Sequence, residues 1–186
     1  MARAQLPGAK VLFDVFESAV EARAHWQCWW AIANEAKPHL VPRMNKYANF
    51  FLITERAHFN CTFINLGNLF DKRRDASSFE NYFKLAKSRY HPNDLAEFRA
   101  RLASHGPARE GALIIRNNVI AHKSSGQSEK QAFQVAGVRP RQIHELIGEC
   151  TAIADSLAER EHWRNRVLVR DSISSATLGV IGSIKL

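Results

Sequence analysis

"VLFDVFESAVEARAHWQCWWAIA", residues 11 to 33, decides the fold class. Leu12, Phe16, Ala19, Ala22, Trp26, Trp29 and Ala33 recur at steps of three and four, the period of a helix with one apolar stripe. The same period runs through most of the chain. A second long helix is expected after Pro38 ends the first and Pro42 opens the next, with Tyr47, Phe51, Phe59, Phe63, Leu66 and Phe70 on more than one face. "DKRRDASS", residues 71 to 78, reads as a charged connection. Ser77 and Glu80 have the spacing of a capping box that starts a short helix over 78 to 90. Another helix follows Pro92 and stops at Gly106-Pro107; the next covers roughly 108 to 123 and releases into the loop "SSGQSEK". After Pro140 a last long helix carries Ile143, Ile147, Cys150, Ala154 and Leu157 on one face.

No hairpin signal or internal repeat interrupts this pattern. The fold class is therefore all-α, an antiparallel helical bundle with additional short helices. Residues 1–9 read as an extension, 10–167 as the helical domain, and 168–186, ending "DSISSATLGVIGSIKL", as a Ser/Gly-rich C-terminal tail or partner-dependent arm.

A chain of 186 residues can enclose one sizeable core, and 46% hydrophobic with 24% charged residues is ordinary for a globular protein. The formal charge of +8 favours a polyanion such as RNA or DNA, or an acidic partner. The N-terminus lacks a signal-peptide core, and no apolar run approaches the length of a membrane span, so the cytoplasm is the expected compartment. Cys28, Cys61 and Cys150 are odd in number and not in C-x-x-C pairs, which argues against a disulfide framework. His58 and Cys61 are spaced like half a metal site, but with no second pair of matching spacing in view they read as helix packing; neither a metal nor a cofactor is expected. Asn60-Cys61-Thr62 is a chance glycosylation sequon in a cytosolic chain. In "AHWQCWWAIAN", residues 24–34, two tryptophans fit the core stripe and the third can seal a dimer or a neighbouring helix, a reading favoured over a base-stacking platform.

Chemistry concentrates in "ALIIRNNVIAHKSSG", residues 112–126. Leu113, Ile114, Ile115, Val119 and Ile120 look like one side of a buried helix, yet Arg116, Asn117, Asn118 and His122 share the segment. Six positions separate Arg116 from His122, so on a regular helix they stand about 120° apart and about 9 Å along the axis. One helix presents them to a single phosphate awkwardly unless it loosens at its C-terminal end. A second copy related by a two-fold axis would bring both pairs around one cleft. The residue types suit RNA cleavage. Arginine grips phosphate oxygens with a planar fork, and histidine exchanges a proton near neutral pH. Asn118 lies four before His122 and, with Asn117, can bond substrate or fix the imidazole. Against this stands a plain reading in which His122-Lys123 only complements a helix C-terminus.

"IIRNNVIAHK" resembles the motif of HEPN domains: an arginine, a polar residue, four more positions and a histidine. "LGNLFDKRRDASSFENYFK", residues 66–84, is similar to the stretch before the motif in the abortive-infection AbiU-type branch of that superfamily. The similarity covers roughly residues 10 to 165. It implies an all-α bundle, commonly dimeric, with two motifs meeting at the dimer cleft. Active members are metal-independent endoribonucleases of toxin–antitoxin or phage-defence systems that leave 2′,3′-cyclic phosphate ends; many others are non-catalytic. Carried over, Arg116 and His122 match the motif's arginine and histidine, and Asn117 its polar position. Where the branch paired with nucleotidyltransferase antitoxins has a tyrosine close after the histidine, this chain has Lys123, Ser124 and Ser125.

The expected catalytic set is Arg116, Asn117 and His122, with Asn118, Lys123, Lys72, Arg73 and Arg74 binding substrate. Arg99, Arg101, Arg109, Arg139 and Arg141 are expected to extend a basic groove, while Asp71 caps, or pairs with a neighbouring base, outside the catalytic set. The expected partners are RNA, a second copy of the chain and, in a toxin–antitoxin setting, an antitoxin protein. The rival readings are a dimeric scaffold that holds RNA or protein without cutting, and a structural protein whose tail finds a partner.

Overall fold

The structure, a computed structural model, describes residues 8–121, 128–163 and 172–185. It contains α1 (Ala9–Trp30), α2 (Lys37–Asn45), α3 (Ala48–Leu69), α4 (Phe79–Leu85), α5 (Pro92–Ser104), α6 (Gly106–Ile114), α7 (Glu129–Ala136), α8 (Pro140–Arg160) and α9 (Ser172–Gly182). Two π-helical turns, Ala31–Ala36 and Ile115–Ala121, extend α1 and α6. No strand occurs among the described residues, and none of their helices is long and apolar enough to cross a membrane.

The stripe on α1 is the centre of the core. Leu12, Val15, Ala19 and Ala22 are essentially inaccessible, and Trp26 and Trp29 nearly so. Burying each large side chain of this kind contributes about 1.5–3 kcal/mol, which makes α1 the element the others organise around. α3 packs antiparallel along it, since His25 meets His58 while Asp14, eleven residues earlier, lines a hollow with Asn65 and Asn68. On the other flank α8 is also antiparallel: the Trp26 ring lies near His144, and Phe16 meets Trp163, just beyond the helix, edge-on. The Trp29 indole donates to the Glu129 carboxylate at 2.7 Å, so the stripe's polar edge is satisfied by α7.

Several boundaries differ from the sequence expectation. Pro38 does not end the first helix; it follows the π-turn and falls in the first turn of α2. Pro42 lies inside α2, and the second long helix begins at Ala48. Ser77 does not cap α4. Its hydroxyl donates to Asp14 at 2.6 Å, tying the loop to α1, and Ser78 occupies the N-cap position without a side-chain cap bond. α7 went unforeseen, although Ser128 and Gln131 form a full capping box there.

The C-terminal stretch is not a free arm. Residues Ser172–Gly182 form α9, which packs on α1, α2 and the first π-turn. Ile181 is buried with Ile32, Ala36, Met44 and Phe51 in a second small core. Arg43 and Lys46 donate to the carbonyls of Ile184 and Lys185. Leu178, Ile181 and Ile184, three apart, supply the apolar edge that Ser/Gly composition obscured.

Candidate functional site

α6 and its π-turn run antiparallel to α3, because Arg109 lies over Phe70 at 5.7 Å while Arg116, seven residues later, lies against Gly67. Seven residues are two turns, so both arginines share one face. Ile115, fully buried, anchors the turn, and Gly111 lets α6 press on Val138, whose methyl would stand 2.2 Å from a Cβ at that position. The segment is one side of a buried helix only as far as Ile115: Leu113 and Ile114 are half-buried, and the side chains of Val119 and Ile120 are outside the described set.

Arg116 is held by a specific close approach. Its Cδ and Nε would both lie 2.9 Å from a Cβ on Gly67, so the side chain uses the space that glycine leaves. Its Nη1 donates to Asn117 Oδ1 at 3.3 Å. Asn117 and Asn118 are exposed on the same π-turn, a wide geometry that recurs at functional sites. The helix thus does loosen where the arginine stands. His122 and Lys123 lie outside the described residues.

Asp71, just past the end of α3, joins this arginine to the charged loop. It accepts from the Arg73 backbone N–H at 2.9 Å and from the Arg73 side chain at 3.1 and 3.2 Å. These Arg73 bonds hold the Asp71 carboxyl below the usual carboxylate range, and the Arg116 charge acts in the same direction. Arg73, Arg109 and Arg116 therefore gather where the α3 carbonyls carry partial negative charge, which favours cations. Lys72 and Arg74 are exposed beside them.

Arg99 pairs with Glu80, Arg101 with Glu149, and Arg141 with Glu145, so these guanidiniums are occupied by local carboxylates. Arg139 stands at the start of α8. Trp26 and Trp29 are core, only 3% and 4% exposed, and Trp30 packs half-buried against them.

His58 is not simply helix packing, because it has a partner on α1. His25-x-x-Cys28 repeats the spacing of His58-x-x-Cys61, and the two imidazoles meet Nδ1 to Nδ1 at 2.8 Å. Among the described residues no three His, Cys, Asp or Glu side chains converge as a metal site requires. Burial lowers the affinity of both rings for a proton. Glu21 opposes this at His25, and His25 reinforces it at His58. Because the folded pKa values lie below the unfolded value near 6.5, the unfolded chain takes up more protons, and this contribution to stability is lost as pH falls below about 6.5. Two protonated rings could not keep the contact, since both nitrogens would donate. The melting temperature should fall between pH 7.5 and 5.5, and fall less in His58→Asn; parallel curves for the two proteins would remove the pair as the cause.

Arg116, on the widened turn that extends α6, thus lies against the C-terminal part of α3 in an all-α bundle. The family model described as AbiU2 matches residues 8–173, and the chain belongs to this HEPN family. It is an abortive-infection-related HEPN domain. No curated protein and no solved structure matches the chain significantly.

Proposed function

We propose that this protein is a metal-independent endoribonuclease of a prokaryotic toxin–antitoxin or phage-defence system, acting in the cytoplasm as a homodimer. The observation that carries the reading is Arg116. Its side chain is aimed by Gly67 and flanked by Arg73 and Arg109, in an AbiU2 chain whose next motif residue is His122.

In the proposed reaction a ribose 2′-oxygen attacks the adjacent phosphorus and the bond to the 5′-oxygen breaks. His122 takes the 2′-hydroxyl proton and, as the imidazolium, returns it to the departing 5′-oxygen, which leaves a 2′,3′-cyclic phosphate. Arg116 holds the non-bridging oxygens as charge builds on them, while Asn117 supports the arginine. Every element is supplied by side chains, so a chelator should not stop the reaction.

A second copy is supported by α3. Phe50, Ile53 and Ile64 are 63%, 70% and 41% exposed. With Ala57 and Asn60 they form a stripe at three- and four-residue steps that runs toward Gly67. A two-fold packing of this stripe would place two arginine turns near one cleft.

Incubation with RNA in excess chelator should give products with cyclic phosphate ends, and the protein should sediment as a dimer. RNA retained intact at any protein concentration would retire the enzyme. The alternative is then a non-catalytic HEPN-like module that binds RNA or a protein such as an antitoxin. The Asp71 carboxylate, which partly neutralises Arg73 and Arg116, is the feature that favours it.

A further inference from the structure

Beside the arginines, between α1 and α3, lies an open hollow of about 350 Å³, within the range of small-molecule sites. Asp14, Glu17, Ser18 and Glu21 form its α1 wall, and Asn65 and Asn68 its α3 wall; Asp71, Arg73, Ala76 and Ser77 line it from the loop that follows. Two of its carboxylates are committed, Asp14 to Lys10 and Ser77, and Asp71 to Arg73. Glu17 and Glu21 are exposed. The observation that marks this as more than an acidic patch is Asn65. It is only 8% exposed and lines the hollow, and its carboxamide has no hydrogen-bond partner among the described residues. The amide atoms of this largely buried side chain still reach the open hollow, where a ligand offering donors and acceptors can pair with them.

We infer that this hollow is a nucleobase subsite that selects bases carrying an exocyclic amino group, guanine foremost. The inference rests on the ribonuclease reading for one point, that the neighbouring arginines hold a phosphate. The hollow is two-ended. Arg73 forms part of its wall, and Arg116 acts on Asp71 from the adjoining face, so one end is cationic. The remainder offers carboxylate and amide oxygens. A nucleotide has matching ends, an anionic phosphate and a base edge of N–H donors. A basic peptide side chain would suit the carboxylates but be repelled by the arginines. Carboxylates accept from amino groups of bases, and guanine presents two adjacent donors, N1–H and the 2-amino group, that one carboxylate can accept together. Uracil turns two carbonyls toward the same oxygens and is disfavoured. Asn65 can donate to a base carbonyl while accepting from an amino group, which no carboxylate can do.

The test is calorimetric titration of the full-length protein with the four 3′-nucleoside monophosphates, and with N-acetyl-arginine amide as the probe for a basic protein partner. Guanosine monophosphate should bind at least about fivefold tighter than uridine monophosphate, the lower end of what a bidentate base contact provides. Glu21→Gln combined with Asn65→Ala should bring that ratio close to one. Arg116→Ala should weaken all four nucleotides by a common factor and leave the ratio intact. Equal binding of the four, no binding of any, a preference that survives in the double variant, or binding of the arginine probe in their place would each overturn the subsite. Melting curves confirm that the variants are folded, and the exposed Glu17→Gln serves as an independent second variant with the same expected direction. Cleavage is read separately: base selectivity without cleavage retires the enzyme, whereas cleavage without base selectivity retires the subsite.

Discussion

His122→Ala is expected to lower RNA cleavage by about 10²–10⁴-fold while leaving RNA affinity nearly unchanged. The size follows from the role. A side chain that moves a proton in the transition state contributes that factor, whereas a neutral imidazole adds little to the attraction between a +8 protein and a polyanion. The rate of the unaltered protein should also depend on pH around the histidine range, because the proton acceptor must be neutral when it acts. His122→Gln retains hydrogen bonding but cannot titrate, so it should be nearly as inactive as alanine. Single-turnover cleavage at several pH values, with binding measured on a 2′-deoxy substrate that lacks the nucleophile, separates the two effects. A variant that cuts at the original rate would remove His122 from the mechanism. One that loses binding and cleavage in proportion would make it a contact residue.

The helical class was legible because α1 repeats its apolar residues with little interruption, and periodicity reports the buried face directly. Helix ends were harder to read. Pro38 and Pro42 are strong stop signals in isolation, but a π-turn shifted the register so that a helix could start around the first and include the second. Ser77 and Glu80 have the right spacing for a capping box, yet the Ser77 hydroxyl finds Asp14, sixty-three residues earlier, a contact no local pattern contains. The C-terminal helix was hidden by serine and glycine, although Leu178, Ile181 and Ile184 carried its edge.

At the site, Arg116 and the Asp71–Arg73 pair could be anticipated from residue type and proximity. Gly67 could have been. An isolated glycine within a helix costs about 1 kcal/mol relative to alanine, and such a cost points to something packed against the backbone. The His25–His58 pair was available as a repeated H-x-x-C spacing, but only the antiparallel packing of α1 on α3 makes the two halves meet. Arg99, Arg101 and Arg141 were misjudged for the opposite reason. Composition counts charges, whereas the fold assigns each of these three a carboxylate.

Gly67→Ala should lower cleavage by about 10²-fold without destabilising the protein, a combination few other positions would give. Alanine is favoured over glycine within a helix by about 1 kcal/mol, so α3 should gain rather than lose stability. The added methyl, however, would stand 2.9 Å from both Cδ and Nε of Arg116, and a flexible side chain yields before backbone does. The guanidinium would then swing off its present line, and a displacement of about 1 Å at a catalytic group is enough for the stated loss. Arg116→Ala sets the reference, with about 10²–10³-fold expected from removing a donor to a developing oxyanion. Arg116→Lys should recover only part of it, because an ammonium is a point charge without the planar fork. If placement is what matters, combining Gly67→Ala with Arg116→Ala should cost no more than Arg116→Ala alone, since the methyl acts only through the arginine. Additive losses in that cycle, or a Gly67→Ala protein as active as the parent, would mean that the path of Arg116 across α3 does not control the reaction.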